Sequence, residues 1–121
     1  MISEYISKHL RHGISRKELY GAYRIFFGTL VSGSRLKIIN LLRKCPKNVS
    51  EIMKETGLSQ TAASHNLSRL KRCGFVVSKT EGKYRYYELN EKTIKPLMEI
   101  IDAHMSKFCV HILKEKGGKN D

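Results

Sequence analysis

Residues 57–74 read GLSQTAASHNLSRLKRCG and combine a buried helical stripe with a row of short polar side chains. Ala63, Leu67 and Leu70 recur at i, i+4 and i+7, which predicts one apolar face of an α-helix. The remaining positions carry donors and acceptors on short side chains that can reach base edges in the major groove of duplex DNA. The predicted base-reading residues are Gln60, Thr61, Ser64, His65 and Asn66.

Basic side chains surround this helix. The chain has 23 Lys and Arg against 11 Asp and Glu, a net charge of +12 over 121 residues, which predicts a polyanionic partner. The predicted phosphate contacts are Ser34, Arg35, Arg69, Arg72, Lys79, Lys83 and Arg85. Two alternatives stay open: the arginines of the helix could form a solvated face, and Arg35 could pair with a carboxylate inside the domain.

The order of elements around residues 57–74 indicates how these side chains are positioned. Gly57 suits the left-handed residue that ends a helix, Ser59 suits the N-cap of the next, and Gly74 ends that helix. Residues 75–89 read as two β-rich runs around Glu81 and Gly82, a hairpin. A helix, a tight turn, a second helix and a basic hairpin together predict a winged helix-turn-helix.

The flanks predict further helices. Ser15, Ser34 and Ser50 are candidate N-caps, and one long helix is expected from about Pro96 to Lys116. The predicted fold is mainly α with a small β-hairpin, in a single domain over residues 1–121. Its expected parts are N-terminal helices in 1–30, a DNA-binding core in 34–90 with the wing at 75–89, and a C-terminal helix in 91–116.

Apolar and aromatic stripes on the first and last long helices offer more surface than a small domain can bury. They predict a homodimer interface, with base stacking by the aromatic cluster as the less favoured alternative. The predicted interface residues are Tyr20, Tyr23, Phe27, Leu97, Ile101, Met105, Phe108 and Ile112.

Three segments carry a resemblance to a known family: FFGTLVSGSRLKIINLL, VSEIMKETGLSQTAASHNLSRLKRCGFV and EGKYRYYEL. Together they resemble the ArsR family of winged-helix repressors over residues 22–90. The resemblance implies a homodimer built on the first and last long helices and a two-fold-symmetric DNA operator. It also implies repression that is relieved when a metal or an oxidant is sensed.

The positions that hold metal in this family carry other residues here. Asn48 and Ser50 stand where the family's Cys-x-Cys pair would fall, and the second family site becomes Glu91, Thr93, His104 and Lys107. Neither set resembles a soft thiolate or a closed tetrahedral site, so no metal cofactor is predicted. Within one copy, His9 and His12 supply only two ligands, and His104 and His111 are too far apart along one helix to share a metal. A site in which a dimer brings His111 or Cys109 of one copy toward His9 of the other stays open as a minor alternative.

A thiol sensor is the other effector considered. Asn40 stands where the family's first sensing cysteine would fall, and Cys109 lies near the second position. Cys45, Cys73 and Cys109 are therefore expected to be inert, although their redox activity stays open.

The sequence also argues against other classes of protein. It contains no glycine-rich phosphate loop and no recognisable catalytic constellation, so no enzyme is predicted. No apolar run approaches the ~20 residues of a membrane span, and three scattered cysteines fit reduced thiols in the cytoplasm. The favoured function is a dimeric, sequence-specific repressor that binds double-stranded DNA. A basic architectural protein with little sequence preference is the alternative, and a protein–protein module is disfavoured by the charge.

Overall fold

The structure is a computed structural model that describes residues 4–10 and 12–115. The described residues form seven helices and three strands. In chain order these are α1 (Glu4–His9), α2 (Arg16–Val31), α3 (Gly33–Leu42), β1 (Lys47–Asn48), α4 (Val49–Thr56), α5 (Gln60–Arg72), β2 (Val76–Glu81), β3 (Tyr84–Leu89), α6 (Ile94–Lys107) and α7 (Cys109–Glu115). The fold is the predicted one, mainly α with a small β-sheet. The predicted helix end near Lys116 lies outside the described residues.

One apolar core joins α3, α4, α5, the sheet and the start of α6. Ala63, Leu67 and Leu70 are buried, so the predicted inner stripe of α5 is confirmed. The core consists of Ile38, Ile39, Leu42, Ile52, Ala63, Leu67, Leu70, Phe75, Val76, Leu89, Ile94 and Met98. Since apolar burial holds α5 along one stripe, its remaining faces are available for polar contacts.

Two of the predicted N-caps are confirmed. Ser15 forms a capping box with Glu18: the Ser15 hydroxyl accepts from the Glu18 amide at 3.1 Å, and the Ser15 amide donates to the Glu18 carboxylate at 3.0 Å. The Ser59 hydroxyl accepts from the Ala62 amide at 3.1 Å at the start of α5. Each bond satisfies an amide that the helix itself leaves without a partner.

The other two predicted caps are wrong. Ser32, not Ser34, caps α3, and Asn48, not Ser50, caps α4 through a capping box with Glu51. Both true caps have the extended backbone that an N-cap requires, whereas the predicted serines already lie inside the helices. Asn48 takes this role because it also ends β1, which sets the direction in which the chain enters α4.

The sheet confirms the predicted hairpin and adds a strand that was not predicted. β2 and β3 pair antiparallel with Glu81 opposite Tyr84, and Gly82 in the turn has a φ of +61°. β1 pairs with β3, so the order is β1-β3-β2. A strand of two residues is too short to show the alternation of apolar and polar residues from which a strand is predicted. It forms because one edge of β3 is not paired with β2.

The predicted single C-terminal helix is instead two. α6 ends at Lys107, and Phe108 leaves the helical conformation with φ −125° and ψ −75° before α7 begins. No proline or glycine marks this position. Residues 102–115 are exposed, so packing on the core does not hold them on one straight axis.

Among the described helices, none is by itself long and apolar enough to cross a bilayer. α2 and α3 pass that test only as a pair, across a bend of 78°.

The turn between α4 and α5 yields a stability prediction. Gly57 has a φ of +78°, a left-handed conformation that a Cβ makes unfavourable. Gly57→Ala should lower the free energy of unfolding by about 1–2 kcal/mol, measured by chemical denaturation. Gly21→Ala is the matched control: it lies inside α2 with open space for a Cβ, and should raise stability by about 0.5–1 kcal/mol. Equal effects of the two variants would contradict the role of the turn.

Candidate nucleic-acid interface

The outer face of α5 presents a continuous polar row. Gln60, Thr61, Ser64 and His65 are all exposed, within the first two turns of the helix and opposite the buried stripe. Ser68 continues the row, a position that the sequence analysis did not include among the candidate site residues. An α-helix of this kind fits the width of the DNA major groove, and short side chains let it approach the bases closely.

Asn66 does not belong to this row, and its prediction as a base-reading residue is wrong. Its side chain is 8% exposed. Its amide nitrogen donates to the Ala62 carbonyl at 2.9 Å, and its amide oxygen accepts from Arg35 at 3.2 Å. Successive residues are about 100° apart on a helix, so Asn66 lies about 100° beyond His65, away from the row and toward Arg35 of α3.

Arg35, on α3, has internal partners. Its guanidinium donates to the carbonyls of Thr29 at 2.8 Å and Gly28 at 3.2 Å as well as to Asn66. These contacts support the alternative of an internal partner, although the partners are neutral oxygens and not a carboxylate, and the phosphate contact of the half-buried Arg35 stays a prediction. Ser34 is half-buried in the first turn of α3, and its phosphate contact stays a prediction.

The two arginines on α5 have different surroundings. Arg72 is exposed, whereas Arg69 is half-buried and its Nε donates to the Thr29 hydroxyl at 3.1 Å. A shallow depression of about 150 Å³ lies between them, lined by Arg35, His65, Ser68, Arg69 and Arg72. Its cationic lining is suited to a phosphate, because the outer guanidinium nitrogens can bind the oxygens.

The three cations of the wing do not share one face. Lys79 lies opposite Tyr86 and pairs with Glu88 at 2.9 Å, which raises the pKa of Lys79 through the hydrogen bond and the charge of that carboxylate. Arg85 is opposite Thr80, so the period of two along a strand turns it to the other face. Lys83 stands in the turn, 5.7 Å from the centre of the Tyr84 ring. Lys79 is thus the cation least available to DNA.

A second exposed surface is apolar. Tyr20, Tyr23 and Phe27 on α2 and Met105, Phe108 and Ile112 on the C-terminal helices are all exposed, Tyr20 and Phe108 by 55% and 53%. Leu97 and Ile101 are half-buried against the protomer's own core and border this surface. The predicted interface residues are thus exposed or half-buried, and both their grouping into one surface and their contact with a second copy stay predictions.

The family's metal positions hold side chains with other contacts. Asn48 is occupied in the capping box of α4, and His104 stacks on Phe108 with ring centres 4.7 Å apart. His9 Nδ1 lies 2.8 Å from the Tyr5 carbonyl. Within residues 4–10 and 12–115, no three His, Cys, Asp or Glu side chains lie close enough to hold a metal ion.

Cys73 follows α5 and differs from the exposed Cys45 and Cys109. Its sulfur lies 3.3 Å from the Thr29 hydroxyl. Burial raises the pKa of this thiol, but hydrogen bonding with Thr29 and Arg69 and the charges of Arg69 and Arg72 lower it, and the net pKa is below the ordinary value. The cluster was not visible in the sequence because Thr29 is 44 residues away.

The arrangement of α4, α5 and the β2–β3 hairpin defines a winged helix-turn-helix. Comparison with known proteins supports the assignment to the winged helix-turn-helix class. The family model described as bacterial regulatory protein, arsR family, matches residues 32–78. The uncharacterized HTH-type transcriptional regulator MJ1325 of Methanocaldococcus jannaschii is 30% identical over 70 residues, covering 57% of this chain and 79% of that protein. The chain belongs to the ArsR family.

Two further similarities extend beyond the matched core. HTH-type transcriptional regulator Rv0324 of Mycobacterium tuberculosis is 31% identical over 96 residues, covering 76% of this chain and 42% of that protein. The homodimeric winged helix-turn-helix DNA-binding domain of Mb0332 from Mycobacterium bovis superposes with a TM-score of 0.72 at 28% identity, covering 84% and 95% of the two chains. The chain spans about half the length of several curated relatives, with 42% and 58% of the first ones covered.

The environment of Cys73 predicts a pH dependence. With Cys45 and Cys109 replaced by Ser, the rate of alkylation by iodoacetamide should rise with pH around a midpoint below the ordinary thiol pKa of about 8.5. The lowered pKa means that the thiolate, which is the nucleophile, is present at lower pH. In guanidinium chloride the midpoint should return to the ordinary value. A folded midpoint at or above the unfolded one would contradict the assigned surroundings.

Proposed function

We propose that the chain is a sequence-specific regulator of transcription that binds double-stranded DNA as a homodimer and acts as a repressor. The observation that supports this most directly is the exposed row of Gln60, Thr61, Ser64 and His65 on a helix whose opposite face is anchored in the core. The row supplies base contacts, and the surrounding cations supply affinity for phosphates. Occupying a promoter in this way excludes the polymerase, which is repression.

The second copy is proposed to cover the apolar surface of α2, α6 and α7. An exposed patch that includes Tyr20, Phe27 and Phe108 is unfavourable in water, and a symmetric partner would bury it. The Mb0332 domain, of similar fold, is described as homodimeric. In such a dimer, two α5 helices would enter successive major grooves about 34–36 Å apart.

No catalytic step and no resident metal are part of this proposal, and the cytoplasm is the proposed location because the partner is DNA. Release from DNA would then depend on an effector that does not use the family's Cys-x-Cys site, since Asn48 and Ser50 supply no thiolate. The thiols remain the candidates, with Cys73 nearest to α5.

Selection from a random pool of DNA duplexes tests the function. The wild-type chain should enrich a two-fold-symmetric sequence with half-sites about 10 base pairs apart. His65→Ala should then reduce the preference for this operator over random duplex by about 5- to 100-fold, as expected for one lost base contact. The titrations are run in ~0.2 M salt, because affinity depends strongly on ionic strength. They are repeated with added zinc, which should leave the affinity for the operator unchanged.

The control for that experiment is His12→Ala, which removes an exposed histidine from the segment between α1 and α2, outside the row on α5. It should leave the operator preference unchanged. If no sequence is enriched, and wild type and His65→Ala bind all duplexes alike, the chain is the architectural protein of the alternative. Zinc-dependent release would instead refute the part of the proposal that excludes a metal.

A substitution in the wing should change the affinity for all DNA sequences and not the preference for the operator. Arg85→Ala should weaken binding to operator and random duplex alike and reduce the slope of log affinity against log salt by about one, because one phosphate contact is lost. Lys107→Ala, at the end of α6, also removes one positive charge but lies outside the proposed DNA-binding surface, and it is the matched control. A loss confined to the operator would show that Arg85 reads bases, and equal slopes for both variants would remove it from the interface.

A further inference from the structure

The α5 helix has a third stripe, separate from its exposed row and its buried stripe. Asn66, Arg69 and Cys73, the residue that follows the helix, recur at i, i+3 and i+7. Arg69 and Cys73 contact Thr29 near the end of α2, and Asn66 contacts Arg35 of α3, which is itself bonded to the end of α2. All three are polar or polarisable, and each contacts either Thr29 or Arg35. The stripe therefore attaches α5 to α2 by directed contacts, whereas the inner stripe attaches it to the core by apolar burial.

Thr29 is the centre of the first link. It is fully buried at 0% exposure near the end of α2, and its hydroxyl donates to the Ile25 carbonyl at 2.7 Å. A hydroxyl has one proton and two lone pairs. With the proton committed to Ile25, the lone pairs accept from Arg69 Nε at 3.1 Å and from the Cys73 thiol at 3.3 Å. The hydrogen-bonding capacity of this hydroxyl is thus completely used, two-thirds of it by Arg69 of α5 and by Cys73 directly after it.

Arg35 forms the second link. Its Nε and one terminal nitrogen bind the carbonyls of Thr29 and Gly28, at the end of α2 where carbonyls lack helical partners. A positive charge there also complements the helix dipole. Its other terminal nitrogen donates to Asn66 on α5. A planar guanidinium holds these three acceptors in one fixed arrangement, which a lysine cannot do.

These directed bonds restrict a motion that apolar burial leaves free. Hydrophobic contact is non-directional, so the inner stripe alone would tolerate a small rotation of α5 about its axis. Hydrogen bonds weaken steeply as their angles deteriorate. The links on the third stripe therefore fix the rotation of α5, and with it the direction in which Gln60, Ser64 and His65 point.

We propose that Thr29, Arg35 and Asn66 are positioning residues, which hold α5 at the rotation that operator recognition requires through their bonds within the protomer. The inference rests on the proposed function, since it assigns a role in DNA binding. It also connects the two surfaces of the molecule. Tyr23 and Phe27 of the apolar surface lie on the same helix as Thr29, so α2 carries both the contact with the second copy and the links to α5.

Thr29→Val tests the first link, because valine keeps the shape of threonine and removes the hydroxyl. The probes are the duplex obtained by selection and a random duplex. Operator affinity should fall by about tenfold while random affinity falls by less than about twofold, since phosphate contacts need less angular precision. Thr29→Ser, which keeps the hydroxyl, should restore most of the loss.

Ser106→Ala is the matched control. The Ser106 hydroxyl donates to the Ala103 carbonyl of its own helix at 2.8 Å, as that of Thr29 does to Ile25, but has no bond to another element. It should leave both affinities unchanged. All variants are compared at equal dimer fraction, measured by sedimentation, and well below their unfolding temperatures.

Arg35→Lys is a second variant in case Thr29→Val does not fold. It retains the charge at the end of α2 and loses the bridge to Asn66, so it should lower operator affinity selectively in the same way. Operator affinity within about twofold of wild type in a folded, dimeric Thr29→Val or Arg35→Lys would overturn the proposal. A selective loss that serine at position 29 does not rescue would overturn the role of the hydroxyl.

Hydrogen exchange of the DNA-free protein separates this inference from the proposed function. If wild type prefers no DNA sequence, the proposed function fails, and exchange alone decides whether the links hold α5. Faster amide exchange in α5 of Thr29→Val, with α4 and the β2–β3 hairpin unchanged, supports the links. Exchange in α5 equal to that of wild type overturns them.

Discussion

Burial of the inner stripe of α5 is the constraint on which the arrangement of the molecule depends. Ala63, Leu67 and Leu70 are buried together with residues of α3, α4, the sheet and α6. Burial of each of the two leucines contributes about 1.5–3 kcal/mol, so a change in the position of α5 on the core would cost much of this free energy. Because one face is held so firmly, the outer face can be composed of residues chosen for contact with another molecule and not for packing.

The ion pairs of the protein leave the cations of α5 without a carboxylate partner among the described residues. Arg43 pairs with Asp102 at 2.7 Å, Lys47 with Glu55 and Lys79 with Glu88, all of them away from α5. None of these three pairs includes a cation of α5, and Arg69 bonds to the neutral hydroxyl of Thr29. The positive charge of α5 is therefore not neutralised within the protomer, and the repulsion between Arg69 and Arg72 is relieved when a polyanion binds.

The sequence carried enough information to predict the winged helix-turn-helix, because its signals are local. A capping serine at Ser59 and a glycine at Gly57 specify the turn, and the spacing of Ala63, Leu67 and Leu70 specifies the helix. The exposed row was predicted for the same reason. The family resemblance strengthened the prediction of the class and contributed nothing to the internal bonds.

What the sequence did not reveal depends on contacts between distant residues. The bond between Arg35 and Asn66 spans 31 positions, and that between Thr29 and Arg69 spans 40. No periodicity marks such pairs, so a polar Asn66 on a polar helix was assigned to the outer face. The break at Phe108 has no proline or glycine to announce it, and β1 is too short to show an alternating pattern.

The short strand β1 has a mechanical consequence for the wing. It pairs with Tyr86 and Tyr87, so the hairpin is three strands wide at its middle, and its tip, from Thr80 to Arg85, is a ribbon of two. Ribbons of two strands twist more readily than wider sheets. The wing is therefore stiff where it is three strands wide and more easily twisted at its tip. The tip can follow a groove whose width varies with DNA sequence. The three-stranded part keeps its alignment with α4, because β1 runs directly into that helix.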